Sequence, residues 1–143
     1  MMVRRGGNGV LGGSKRILII DDSPDVLETL GEYFLSHYGK TGYVIEMVAT
    51  GAEGVRAFMD ARPGLVILDV DMPGMNGIEV LKIIRGADPR VPVIMLTGNT
   101  DNAVAATVLQ CGAASYAPKP INFQYLEHLA ALFLGEPDTS AAR

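Results

Sequence analysis

Residues 65–68 form an unbroken run of four apolar side chains that leads directly into Asp69. A run of this kind indicates a strand that is buried on both faces, because a strand with one solvated face alternates apolar and polar residues. Pro73, Gly74 and Gly77 follow and force a turn. In open parallel sheets, ligands bind beyond the carboxyl ends of the strands. We therefore predict that Asp69 is presented at a ligand site; the alternative is that it only caps the next helix.

The rest of the chain alternates strand patterns with helix patterns. Strands are predicted over 16–22, 43–48, 65–69, 91–97 and 114–117, and helices over 24–37, 51–60, 76–86, 100–111 and 123–133. This alternation predicts an α/β fold: a single doubly wound, flavodoxin-like domain in which five helices cover both faces of a five-stranded parallel sheet. With the strand order 2-1-3-4-5, the first and third strands are neighbours, and their last residues meet at one edge of the sheet.

The two ends of the chain carry little structural signal. Residues 1–14 hold several glycines without apolar periodicity and are predicted to be a disordered arm or an expression remnant. Residues 135–143 are predicted to be a disordered tail, which leaves 15–134 as the domain. Residues 7–12 match the spacing of a dinucleotide-binding loop, but no strand pattern precedes them, so we interpret the match as chance.

Composition excludes several classes of function. The 143 residues suffice for one domain with its own core. A net charge of −4 offers no basic surface for direct nucleic-acid binding, and no apolar run approaches the roughly 20 residues that span a membrane. Cys111 is the single cysteine, which excludes an internal disulfide and, together with the lack of a signal-peptide pattern, predicts a cytoplasmic protein.

Polar side chains follow four of the predicted strands. Asp21 and Asp22 follow the first strand, Asp69 ends the third, Thr97 ends the fourth and Lys119 follows the fifth. Carboxylates that crowd together repel one another unless a cation or raised pKa values compensate. Oxygen ligands suit Mg2+, beside which a carboxylate acts as a nucleophile toward a phosphoryl group. Lys119 and Thr97 would then contact the phosphoryl oxygens.

These residues resemble the receiver domain of two-component response regulators. The resemblance covers about residues 15–134 and is carried by the Asp21-Asp22 pair, Asp69 in Leu-Asp-Val-Asp-Met-Pro-Gly-Met-Asn-Gly, Thr97, and Lys119 in Pro-Lys-Pro. It implies that Asp69 is the phosphoacceptor and receives a phosphoryl group from a phosphohistidine on a sensor histidine kinase or a histidine phosphotransfer protein. It also implies that the protein catalyses only its own phosphorylation and hydrolysis and is not an enzyme toward external substrates.

The resemblance also implies Mg2+ as the cofactor. Asp22 and Asp69 would bind the ion through their side chains, Asp71 through its backbone carbonyl, and Asp21 through bound water. Lys119 would contact the phosphoryl group, and the peptide bond between Lys119 and the following proline would be cis. All of these groups lie at predicted strand ends or in the loops that follow them.

A conformational switch is implied by the same family. On phosphorylation Thr97 would move toward the phosphoryl oxygens, and Tyr116, three residues before Lys119, would rotate into the space that opens. This would repack the face of helix 4, strand 5 and helix 5, to which a downstream target or output domain would bind. Helix 4 carries no charge after Asp101, so we expect part of this face to be apolar and exposed. The alternative is that most of these apolar residues belong to the core and that the rest are scattered surface alanines. The alternative for Tyr116 is an ordinary edge-strand aromatic.

Two other functions fit parts of the pattern. Asp69-Val70-Asp71 also resembles the nucleophile and general acid of haloacid-dehalogenase-type phosphatases. That family needs further metal-binding acids after its lysine, whereas the pattern after Lys119 predicts one helix and a tail. The second alternative is a receiver-like interaction module that works without phosphorylation, which the presence of all five site residues disfavours. Whether the protein is a stand-alone regulator or part of a longer one stays open.

Overall fold

The computed structural model describes residues 14–98 and 102–135, and these form one parallel sheet with helices on both faces. The strands are β1 (Arg16–Ile20), β2 (Val44–Val48), β3 (Leu65–Asp69), β4 (Val93–Thr97) and β5 (Ser115–Pro118). The helices are α1 (Pro24–Tyr38), α2 (Gly51–Asp60), α3 (Gly77–Ala87), α4 (Asn102–Gln110) and α5 (Phe123–Leu134), and a short 3-10 turn spans Gly39–Thr41. The sheet order is β2-β1-β3-β4-β5, so the predicted fold class and strand order are confirmed.

The register of the strands brings their carboxyl ends to one edge of the sheet. Ile20 at the end of β1 lies opposite Leu68, the residue before Asp69. Further along the sheet, Thr97 at the end of β4 lies opposite Pro118 of β5. Because all of these strands run in the same direction, the residues that follow them emerge together at this edge.

Helices cover both faces of the sheet, which explains the unbroken apolar runs. Successive strand residues point to opposite faces. Leu18 and Ile20 therefore pack in the core beneath α2, α3 and α4, whereas Ile17 and Ile19 pack in the core beneath α1 and α5. All four side chains are buried. A strand between two apolar layers has no solvated face, and so it needs no alternation of polar residues.

Helix caps fix the chain where it leaves the edge of the sheet. The Ser23 hydroxyl caps α1, and the Asn122 side chain caps α5. At the start of α3, the Asn76 side chain accepts the Glu79 N–H at 3.0 Å, and the Glu79 carboxylate accepts the Asn76 N–H at 2.9 Å. This reciprocal pair is a capping box, which satisfies two N–H groups that the helix cannot satisfy itself. The three helices therefore begin at defined positions after β1, β3 and β5.

Several element ends differ from the prediction by one or two residues. β1 ends at Ile20 and not at residue 22, because the chain turns after Asp21. β4 begins at Val93 and not at residue 91, because Pro92 has no N–H for the ladder. α4 begins at Asn102, and the first residues predicted for this helix lie outside the described residues.

The predicted terminal segments, 1–14 and 135–143, lie outside the described residues apart from Ser14 and Gly135. The same is true of the glycine-rich match at 7–12. Within 14–98 and 102–135, every helix falls short of the length and apolar character that a membrane span requires.

Candidate functional site

Three carboxylates meet at the carboxyl edge of the sheet. Asp21 and Asp22 directly follow β1, and Asp69 is the last residue of β3. Each offers one oxygen, and these oxygens lie within 4.8 Å of one another. Asp21 and Asp69 are buried, whereas Asp22 is exposed. The sheet therefore brings together the three acidic side chains that were predicted from the ends of the strands.

Asp21 uses its two carboxylate oxygens differently. Its Oδ1 atom accepts a hydrogen bond from the Ser23 N–H at 2.9 Å, which shapes the turn into α1. Its Oδ2 atom is buried, and the ammonium of Lys119 lies 3.0 Å away as its ion-pair partner. A buried carboxylate oxygen is costly unless a cation lies beside it. This atom is therefore suited to a positively charged neighbour.

Asp69 is almost fully buried, with 2% of its surface exposed. Burial and the neighbouring charge of Asp21 raise the pKa of its carboxyl from 3.8 to about 7, while Lys119 and the Asp71 N–H act in the opposite direction. The Asp71 N–H donates to Asp69 Oδ1 at 3.2 Å, and Lys119 Nζ lies 3.3 Å from the same oxygen. A further cation beside Asp69 would favour its ionised form.

Lys119 reaches the acidic cluster from the end of β5. Its backbone N–H donates to the Thr97 carbonyl at 2.8 Å, which extends the pairing of β4 with β5. Burial lowers the pKa of its ammonium, but the contacts with Asp21 and Asp69 outweigh this effect and raise the pKa. The ammonium is therefore charged at neutral pH. The peptide bond between Lys119 and Pro120 is cis, as predicted.

Thr97 and Tyr116 lie on adjacent strands near the same edge. Thr97 ends β4 and is buried. Tyr116 in β5 is half-buried and lies opposite Met95, two residues before Thr97. The Tyr116 ring packs against the core beneath α2, α3 and α4. The two residues thus occupy neighbouring strands, and the switch between them stays a prediction.

The loop after β3 is folded tightly against the strand. The Gly77 N–H donates to the Val70 carbonyl at 2.9 Å, and a side chain at Gly77 would collide with the Asp69 carbonyl. Gly74 has a φ of +75°, a backbone conformation that favours glycine. These two positions explain the glycines that follow Asp69, and the tight loop fixes the backbone that presents the acid. Asp71 lies in this loop with an exposed side chain, and the role of its carbonyl stays a prediction.

Tyr125 has a contact that the sequence analysis missed. Its hydroxyl donates to the Tyr116 carbonyl at 3.2 Å, from the first turn of α5 to β5. The nearest signal in the sequence is Asn122, whose side chain accepts the Tyr125 N–H at 3.1 Å. That spacing predicts the start of a helix and says nothing about a contact with the strand.

Part of the surface formed by α4, β5 and α5 is apolar. Val108 of α4 is buried, but Ala103, Ala106 and Leu109 of the same helix are exposed, Leu109 to 45%. On the other side of β5, Tyr125 is 40% exposed. The expectation of exposed apolar side chains on this face therefore agrees with the structure.

The acidic cluster suits a hard divalent cation. The donors are carboxylate oxygens, and Mg2+ binds through one or two carboxylates while it keeps several waters. The exposed Asp22 leaves one side of the cluster open to solvent, which leaves room for such waters. Lys119 places one positive charge beside the carboxylates of Asp21 and Asp69, but burial and the charge of Asp21 still raise the pKa of Asp69.

Known proteins resemble this chain in sequence. A family model for the response regulator receiver domain matches residues 17–131. The chain is 38% identical over 106 residues to the DNA-binding response regulator MtrA of Mycolicibacterium smegmatis, a match that covers 74% of this chain and 44% of MtrA. It is 34% identical over 111 residues to the regulatory protein AtoC of Escherichia coli, a match that covers 78% of this chain and 23% of AtoC.

A solved structure resembles the chain in fold. The chemotaxis protein CheY4 of Vibrio cholerae superposes on it with a TM-score of 0.74 at 28% sequence identity, over 83% of this chain and 98% of CheY4. The chain spans less than half the length of MtrA and of AtoC. The shared part therefore concerns one domain of those relatives and not their whole activity.

Proposed function

The chain belongs to the response regulator receiver domain family, and we propose that it accepts a phosphoryl group on Asp69 as a switch in two-component signal transduction. The donor is a phosphohistidine on a sensor histidine kinase or a histidine phosphotransfer protein, and the reaction depends on Mg2+. The proposal rests on four side chains that meet at the carboxyl edge of the sheet: Asp21, Asp22, Asp69 and Lys119.

Asp69 is the nucleophile in this reaction. One of its carboxylate oxygens attacks phosphorus, so that a P–O bond forms and the P–N bond to the histidine breaks. The leaving imidazole keeps the electron pair of that bond and takes up a proton. The ionised carboxylate is the reactive form, and a pKa of about 7 leaves part of it protonated at neutral pH. Asp69 ionises more completely when a cation lies beside it.

The acids of the cluster are the ligands for Mg2+. Asp22 and Asp69 hold the ion through their side chains, Asp71 through its backbone carbonyl, and Asp21 through bound water. When bound, Mg2+ neutralises charge on the carboxylates and on the phosphoryl oxygens. The carboxylate oxygens of Asp21, Asp22 and Asp69, which lie within 4.8 Å of one another, support this assignment.

Lys119 and Thr97 contact the phosphoryl oxygens after the transfer. The Lys119 ammonium lies 3.3 Å from Asp69 Oδ1, so a small movement brings it to an oxygen that is bonded to the new phosphorus. Thr97 offers a hydroxyl donor from the neighbouring strand. As Thr97 moves toward the oxygens, Tyr116 rotates into the space that it leaves. Phosphorylation thereby shifts an equilibrium between two arrangements that both exist beforehand.

The face of α4, β5 and α5 carries the signal onward. Its exposed apolar side chains, such as Leu109 and Tyr125, suit a partly apolar contact with a downstream target or an output domain. The protein works in the cytoplasm and turns over no external substrate. Direct binding to nucleic acid or to a membrane forms no part of the proposal.

Intact mass after incubation with acetyl phosphate tests the proposal. The wild type should gain one phosphoryl group only when Mg2+ is present, and Asp69→Asn should gain none. Asp60→Asn is the matched control, because Asp60 is an exposed acid at the end of α2 and lies on none of the strand ends that form the cluster. This control should gain the phosphoryl group as the wild type does.

Two results contradict the proposal in different ways. A wild type that folds and binds Mg2+ but gains no phosphoryl group favours an interaction module that works without phosphorylation. Steady release of inorganic phosphate from varied phosphate esters favours a phosphatase. The mass measurement and the phosphate-release assay use the same protein preparation. A protein that is active in one assay and inactive in the other is therefore folded, and the difference reflects its chemistry.

A further inference from the structure

A tyrosine of α5 is hydrogen-bonded to the backbone of β5, the strand that carries Tyr116 and is called the switch strand below. The Tyr125 hydroxyl donates to the Tyr116 carbonyl at 3.2 Å. The Tyr125 backbone is itself fixed in the first turn of α5, where the Asn122 side chain accepts its N–H at 3.1 Å. Because the Tyr125 side chain is 40% exposed, packing alone restrains it weakly and the hydrogen bond helps to fix its position.

Tyr116 is contacted by elements of both helical layers. Its ring packs against the core beneath α2, α3 and α4, whereas its carbonyl accepts the hydrogen bond from α5, a helix of the opposite layer. β5 is also the edge strand of the described sheet, with β4 as its neighbour. The contact from α5 therefore supplies a restraint on the side of β5 where the sheet ends.

The same hydrogen bond closes the turn that carries Lys119. Tyr116 and Tyr125 are nine residues apart. Lys119 lies between them, and its ammonium contacts Asp21 and Asp69. Lys119, which contacts the acidic cluster, thus lies in a short segment that begins in the switch strand. The hydrogen bond between Tyr116 and Tyr125 holds the two ends of this segment together. A movement of the Tyr116 peptide must lengthen the bond to Tyr125 or carry the start of α5 with it.

We propose that Tyr125 is a positioning residue that holds β5 in its unphosphorylated arrangement and so opposes the switch at Tyr116. The inference rests on the proposed function, and it adds to the ring rotation described there that the Tyr116 peptide shifts together with the ring. The hydrogen bond is present in the chain without a phosphoryl group, so it stabilises that arrangement relative to one in which the Tyr116 carbonyl has moved. Removing the hydrogen bond therefore makes the switched arrangement easier to reach. By linkage, a phosphoryl mimic that favours the switched arrangement then binds more tightly.

Tyr125→Phe removes the hydroxyl and keeps the ring. One hydrogen bond at an exposed position has a modest effect, so the affinity for the phosphoryl mimic beryllofluoride at saturating Mg2+ should rise about threefold. The affinity for Mg2+ alone should not change, because the partner of the hydroxyl is Tyr116 and not an acid of the cluster. A merely structural role would not give this pattern, since a loosened fold does not tighten binding.

Tyr33→Phe is the matched control. The Tyr33 ring also lies against α5, with its centroid 5.2 Å from that of Phe123. Its hydroxyl is buried and has no hydrogen-bond partner among the described residues. The control therefore removes the same atom from the same residue type without breaking a hydrogen bond. It should bind beryllofluoride with the affinity of the wild type.

Titrations with beryllofluoride, followed through the amide resonance of Ala117 in β5, distinguish the outcomes. Tighter binding by Tyr125→Phe alone supports the inference. Equal or weaker binding by Tyr125→Phe, or equal tightening in Tyr33→Phe, overturns the inference and leaves the proposed function standing. A folded wild type that does not bind beryllofluoride in the presence of Mg2+ overturns the proposed function and the inference together.

Discussion

The ammonium of Lys119 lies 3.3 Å from Oδ1 of Asp69. It also lies 3.0 Å from Oδ2 of Asp21, so one cation compensates two buried carboxylates. Burial and the charge of Asp21 together outweigh the effect of Lys119 on Asp69, because the pKa of Asp69 is still raised to about 7. The cluster therefore holds excess negative charge whenever both acids are ionised, and a divalent cation is the group that would neutralise it.

Replacing Lys119 by methionine should affect metal binding and phosphorylation in opposite directions. Mg2+ should bind about tenfold more tightly, because the ammonium no longer repels the ion. Phosphorylation by acetyl phosphate should slow by about 100-fold, because the phosphoryl oxygens lose a positively charged partner. Calorimetric titration with Mg2+ measures the first effect, and intact mass against time measures the second.

Lys82→Met is the control for this pair of measurements. Lys82 is an exposed lysine of α3, so its replacement removes the same charge from the surface and should change neither quantity. Weaker Mg2+ binding by Lys119→Met would contradict the prediction. It would mean that the ammonium orders the two acids more than it repels the ion.

The raised pKa of Asp69 should make stability depend on pH in the absence of metal. The folded chain holds this proton with a pKa of about 7, against 3.8 for the unperturbed group. The stabilisation is therefore complete below about pH 4 and is lost as the pH rises through about 7. Asp69→Asn has no such proton to lose, so its advantage over the wild type in the free energy of unfolding should be roughly 4 kcal/mol larger at about pH 8 than at about pH 4.

Urea unfolding in EDTA at the two pH values measures this difference. Asp60→Asn is again the control, because Asp60 is exposed. The difference between this control and the wild type should be the same at both pH values. An advantage of Asp69→Asn that does not change with pH would contradict the raised pKa.

The buried hydroxyl of Tyr33 should cost stability. It has no hydrogen-bond partner among the described residues, and burial, Glu127 and Tyr38 together raise its pKa to about 12. Tyr33→Phe should therefore raise the free energy of unfolding by about 0.5–1 kcal/mol. Tyr38→Phe should lower it by about 1 kcal/mol, because the Tyr38 hydroxyl donates to the Gly135 carbonyl at 3.1 Å. Urea unfolding measures both, and a loss of stability in Tyr33→Phe would rule out this account.

Gly112 should not accept a side chain. Its φ is +104°, and a Cβ there would come within 2.9 Å of three side-chain atoms of Arg85. The Nε atom of that arginine donates to the Gly112 carbonyl at 2.8 Å, so moving the arginine away breaks a hydrogen bond. Gly112→Ala should therefore lower the free energy of unfolding by about 1–3 kcal/mol.

Gly86→Ala is the matched control for Gly112→Ala. Gly86 lies in α3, and a Cβ there meets open space. Its replacement should raise the free energy of unfolding by about 0.5–1 kcal/mol, because alanine is the better helix former. Thermal and urea unfolding of both variants check the pair, and equal effects of the two substitutions would refute the argument from backbone conformation.

The sequence alone determined the sheet and the location of its polar ends. Runs such as 65–68 specify strands that are buried on both faces, and the runs of β1, β3 and β4 lead into polar side chains. Because parallel strands share one direction, the strand order then brings Asp21, Asp69 and Lys119 to the same edge. This part was predictable, since it depends on local patterns and on connection rules that hold for the whole fold class.

Only the tertiary structure decided how the site is held. The pKa of Asp69 follows from its burial and from distances to charges on other strands. The hydrogen bond from Tyr125 to Tyr116 crosses a turn of nine residues, and the one from Arg85 to Gly112 joins residues 27 apart. Neither contact has a sequence signal, because the reach of a side chain to a distant carbonyl depends on how two elements pack and not on the periodicity within either element.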